Sequence, residues 1–61
     1  MNQFEINQIK SRLRRLDLSD DFVDRYIHKL QVDCESYAIT CKTIDRWKKE
    51  DSRDIVAQVL A

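Results

Sequence analysis

The sequence predicts an all-α fold, a compact bundle of four or five short helices. Three observations predict it. The 61 residues include neither glycine nor proline, the residues that tight connections between strands want. Apolar residues recur three and four apart rather than in alternation, the period of one helix face. Ser, Thr and Asp precede these apolar runs, where they can cap helix N-termini.

Ile6, Ile9, Leu13 and Leu16 make the first stripe, so a helix is expected over about residues 3–16. Lys10, Arg12, Arg14 and Arg15 lie on its polar side. Ser19, followed by Asp20 and Asp21, marks the next start, with Leu18 and Val23 in the two positions of a hydrophobic staple. That second helix is expected to bury Phe22, Val23, Tyr26, Ile27 and Leu30. Beyond Leu30 the pattern shortens. Asp33 can cap a short helix, with Val32 and Tyr37 as its staple pair and Cys34 turned inward. Thr40 can cap the following helix, flanked by Ile39 and Ile44. That helix is expected to reach about Glu50 with Ile44 and Trp47 on its inner face. Asp51 or Ser52 then starts a last helix striped by Ile55, Val56, Val59 and Leu60. No linker or repeat interrupts the chain, so residues 1–61 read as a single helical domain.

Composition excludes several classes of function. A domain this small buries only about 60% of its unfolded surface, which leaves little room for a catalytic cleft or a cofactor pocket. A phosphate-binding loop needs glycine, and no Ser/His/Asp or Cys/His constellation is present. The chain is therefore expected not to be an enzyme and to use no cofactor. His28, Cys34 and Cys41 match no common zinc spacing and lack a fourth ligand, so no metal is expected. No stretch approaches the roughly 18 apolar residues of a membrane span. The opening Met-Asn-Gln-Phe-Glu lacks the pattern of a secretory signal, and two cysteines are too few for a disulfide scaffold. These features predict a cytoplasmic protein.

The 11 basic residues balance the 11 acidic ones, but in blocks. Lys10, Arg12, Arg14 and Arg15 are followed by Asp17, Asp20, Asp21 and Asp24. Lys42, Arg46, Lys48 and Lys49 are followed by Glu50, Asp51 and Asp54. Acids at helix starts and bases at helix ends suit the helix dipole, at about 0.3–1 kcal/mol each.

Residues 34–49 read Cys-Glu-Ser-Tyr-Ala-Ile-Thr-Cys-Lys-Thr-Ile-Asp-Arg-Trp-Lys-Lys. Cys34 is a small residue in the first helix, Ala38 stands at the turn where glycine is usual, and Ile39 and Thr40 open the second helix. Ile44 and Trp47 face inward from it. This stretch resembles the helix-turn-helix of DNA-binding regulators, over about residues 33–50. Its second half resembles the recognition helices of phage excisionases, transposases and small terminase subunits.

The resemblance implies a sequence-specific regulator of phage, plasmid or mobile-element type, acting in transcription or excision. Helix 40–50 would enter the major groove of double-stranded DNA. Lys42 and Arg46 would read bases, since Arg and Lys are the commonest partners of guanine edges. Thr40, Thr43, Lys48 and Lys49 would hold phosphates. The alternative, favoured by zero net charge, is a protein-binding module. It would be an adaptor or inhibitor of a larger partner, with the helix-turn-helix as scaffold. A homodimer is compatible with either, with Val59 and Leu60 buried against a second copy.

Overall fold

A computed structural model describes residues 1–60. Among them are four α-helices, one turn of 3₁₀ helix and no strand. The predicted all-α bundle is the fold observed.

Helix α1 (Gln3–Arg14) is opened by a capping box. Asn2 Oδ1 accepts from the Glu5 N–H at 2.8 Å, and the Asn2 N–H donates to Glu5 Oε1 at 3.1 Å, so two backbone donors are satisfied reciprocally. Helix α2 (Asp20–Val32) starts where expected, with Ser19 Oγ accepting from the Phe22 N–H. Its inner face holds Phe22, Val23, Tyr26, Ile27 and Leu30 as the stripe requires.

The third element departs from expectation. Residues 37–46 form one uninterrupted helix, α3 (Tyr37–Arg46), capped by Ser36 rather than by Asp33 or Thr40. Ala38 is therefore helical, and the chain reverses earlier, at residues 33–36. Helix α3 also ends before Glu50, because Trp47 leaves the helix in extended conformation. This lays its ring beside Tyr26, with centroids 5.5 Å apart. A 3₁₀ turn (Lys49–Asp51) leads into α4 (Ser52–Leu60), one of the two starts expected.

The core is a single cluster. Ile9, Leu13 and Leu16 from the α1 segment and Ile44 from α3 are fully buried, joined by the α2 stripe and by Ile55 of α4. Helix α1 packs most extensively on α3. Val56 and Val59 pack against the cluster only in part, and Leu60 is exposed.

Cys34, expected to turn inward, does not. Cys41 is buried in α3, whereas Cys34 is exposed with φ of 54°. Its N–H donates to the Gln31 carbonyl at 3.2 Å, and the Glu35 N–H donates to that of Leu30 at 3.0 Å. This pair of bonds is the Schellman closure of a helix, whose left-handed residue is usually glycine. Asp17, with φ of 55°, is also left-handed, in the turn after α1, where its N–H donates to the Arg14 carbonyl at 3.2 Å.

A Cβ in the left-handed region costs about 1–2 kcal/mol, partly offset by glycine's greater unfolded entropy. Cys34→Gly is therefore expected to stabilise the fold by about 0.5–1 kcal/mol. Thermal melting in reducing buffer should show this as a rise of roughly 2–8 °C. Cys34→Ala keeps the Cβ and should leave the melting temperature in place. A glycine variant that melts no higher would refute the strain.

Candidate nucleic-acid interface

Burial fixes which way α3 faces. Ile44 and Thr40 point into the core with Cys41, and Tyr37 packs against it. At 3.6 residues per turn, the opposite side carries Lys42 and Arg46 at its centre. Ala38 and Asp45 lie toward α1, and Ile39 and Thr43 lie on the other flank. All six are exposed.

The expected DNA contacts are redistributed by this geometry. Thr40 is 3% exposed and its hydroxyl donates to the Ser36 carbonyl at 2.8 Å, so it is not available to a phosphate. The i−4 spacing makes this bond a normal one for a threonine inside a helix. Thr43 is exposed, but it too lies within α3, and its hydroxyl donates to the Ile39 carbonyl at 3.0 Å. Neither threonine stands at a helix N-terminus. Lys49 follows α3 in the 3₁₀ turn and pairs with Asp17 at 2.8 Å. That hydrogen bond and the carboxylate's charge hold the Lys49 ammonium above its ordinary pKa. Lys42, Arg46 and Lys48 are exposed and form no ion pair among the described residues.

Two arginines of the α1 segment complete the surroundings. Arg12 Nη1 meets Asp45 Oδ1 at 2.8 Å. The acid on the outer side of α3 is therefore already neutralised. Arg15 Nη2 donates to the Ile44 carbonyl at 3.3 Å, a carbonyl that also accepts from the Trp47 N–H. A cation here suits the negative end of the α3 dipole. The basic cluster of α1 thus belongs partly to the α1–α3 junction, and sequence spacing gave no sign of a bond 29 residues distant. The acids of α2 lie elsewhere: Asp20 and Asp24 share a surface depression with Lys10 and Arg14.

On its far flank α3 borders a cleft of about 310 Å³ walled by α2, α3 and α4. Tyr26, Leu30, Trp47 and Val59 are among its lining residues, as is Ile39, which is 61% exposed. Asp33 and Glu35 line it at the α2–α3 turn. Lys29 Nζ, also at the cleft, donates to the Val59 carbonyl at 3.0 Å. Burial pushes the Tyr26 phenol above its ordinary pKa, and the charge of Glu35 acts in the same direction.

No helix among the described residues is long and apolar enough to cross a membrane, and no group of three or more His, Cys, Asp or Glu is placed to hold a metal ion. Compared with protein-family models, curated proteins and solved structures, the chain matches none, so the interface is read from its own geometry.

Tyr26 gives this region a pH signature. Its folded pKa is raised, so its contribution to stability is complete below the unfolded value near 10. The contribution is lost as pH climbs from there through the raised folded value. Between pH 9 and 11 the wild-type protein should lose stability more steeply than Tyr26→Phe, as followed by thermal melting. Parallel slopes would mean that the phenol is as free to ionise folded as unfolded.

Proposed function

We propose that the chain is a small DNA-binding regulator that meets the duplex with the outer face of α3. One observation carries the reading. Lys42 and Arg46 stand one turn apart at the centre of an exposed face, while the acid beside them, Asp45, is held by Arg12. Both cations project into water without a protein counter-charge among the described residues. Each can exchange solvent for a base edge or a phosphate. Lys48 follows directly in the chain.

The local architecture supports the same reading. Helix α2, the turn at residues 33–36 and α3 follow one another in the order of a helix-turn-helix, although Ala38, expected at the glycine position of the turn, is helical and Cys34, expected in the first helix, lies in the turn. The second helix is thus 37–46, not 40–50. Lys42 and Arg46 fall in its middle and last turn, so its C-terminal half makes the contact. Regulators of transcription and of excision both fit this description, and the cytoplasm is the compartment it implies.

The proposed face offers only Lys42, Arg46 and Lys48 as cations outside ion pairs among the described residues, so binding to mixed-sequence duplex should be weak, in the range of about 10⁻⁴–10⁻⁶ M, with a log–log salt slope no steeper than about −3. An amide-resolved NMR titration at low salt should show shifts concentrated on α3 and Lys48 that vanish as salt is added. Lys42→Ala should flatten the salt dependence by about one unit of log–log slope if Lys42 meets a phosphate. Arg46→Ala should cost about 1–3 kcal/mol and relax specificity if Arg46 meets a base. Arg12→Gln, which releases Asp45, should weaken binding, and Asp45→Asn should not. Absence of shifts on α3 at low salt would end the DNA reading.

A further inference from the structure

The cleft between α2, α3 and α4 is a second surface, separate from the Lys42 and Arg46 face. We infer that it docks a short amphipathic helix of a partner protein, one presenting two apolar side chains one turn apart and a Lys or Arg at one end.

The apolar requirement comes from the lining. The cleft's 310 Å³ is at the low end for a small-molecule pocket. It suits a pair of aliphatic side chains entering beside the Tyr26 and Trp47 rings and Val59. Ile39 stands 61% exposed at its edge, an apolar residue without cover. Helix-in-groove recognition uses this kind of anchor spacing.

Charge selects the partner. Asp33 and Glu35 both line the cleft where α2 ends, and neither has an ion-pair partner among the described residues. Lys29 is the one cation lining the cleft, and its ammonium is already bonded to the Val59 carbonyl. An incoming cation is therefore attracted to one end of the groove, which also sets the direction in which the partner helix lies. An acidic helix meets two carboxylates and no free countercharge.

The test uses two synthetic helical peptides that differ only in charge. Each has two leucines four residues apart, followed one turn later by arginine in one peptide and by glutamate in the other. Each is titrated into the labelled full chain at low salt, monitored by NMR amide shifts and the Trp47 indole. The arginine peptide should shift Ile39, Trp47 and Val59 and bind about threefold to tenfold more tightly than the glutamate peptide. The double variant Asp33→Asn/Glu35→Gln should remove that preference while keeping the apolar contact. Three results would overturn the proposal: no shifts in the cleft with either peptide, equal binding of both, or cleft shifts that grow with protein concentration alone. The last would show that a second copy of the chain covers the groove. Duplex DNA, titrated separately, should leave the cleft resonances of α2 and α4, Tyr26, Leu30 and Val59, in place, so this proposal and the DNA reading can fail independently.

Discussion

Burial of Ile44 against the α1 segment orients everything that α3 presents. Ile9, Leu13, Leu16 and Ile44 are all fully enclosed, and a helix has only one rotation that puts a given residue inward. Once Ile44 is in the core, Thr40 and Cys41 follow it, and Lys42 and Arg46 must face water. The constraint is severe because the domain is small. Removing a buried aliphatic side chain costs about 2–5 kcal/mol, comparable with the whole stability of many domains of this size. The polar bonds at the same junction then set the approach of the two helices. Arg12 meets Asp45, and Arg15 meets the carbonyl of Ile44 itself.

This dependence explains what could be read from the sequence. The stripes of α1 and α2 were legible because each helix is long enough to show its period, and Ser19 begins α2 with two acids behind it; of the α4 stripe only Ile55 is buried and Leu60 is exposed. The exposure of Lys42 and Arg46 was legible too. They lie two residues on either side of Ile44, so their direction follows wherever the helix begins. The boundaries of α3 were not legible. Asp33, Ser36 and Thr40 are all residues that cap helices, and local sequence does not say which of them does. Thr40 finds its partner inside the helix, at the Ser36 carbonyl. Cys34 gave no signal of a left-handed turn, since glycine is the residue that normally announces one. Trp47, three residues after Ile44, has helical spacing, yet it leaves the helix in extended conformation with its ring beside Tyr26.

The zero net charge conceals a sorting of charges along α3. Asp17 and Asp45 are taken by Lys49 and Arg12. Among the described residues, charges outside ion pairs around α3 are acidic at its start, Asp33 and Glu35, basic at Lys42, Arg46 and Lys48, and acidic again at Glu50 and Asp51 just beyond it. Cations toward the C-terminus suit the helix dipole, whereas acids near the N-terminus suit it only if they approach the free N–H groups. Glu35 and Asp33 instead line the cleft.

On the proposed DNA reading, that sorting bears on how a duplex would approach. A recognition helix usually presents its N-terminal residues to the bases, but here such an approach brings Asp33 and Glu35 toward the phosphates. Tilting α3 so that its last turns enter first reverses the balance. Arg46 and Lys42 would then lead, with Lys48 behind them, and the acidic turn at residues 33–36 would be lifted away. A helix with one buried side therefore has two usable outer surfaces, a basic one suited to a polyanion and an apolar one with an acidic end suited to a cationic helix. Both follow from the inward rotation of Ile44 and the early cap at Ser36.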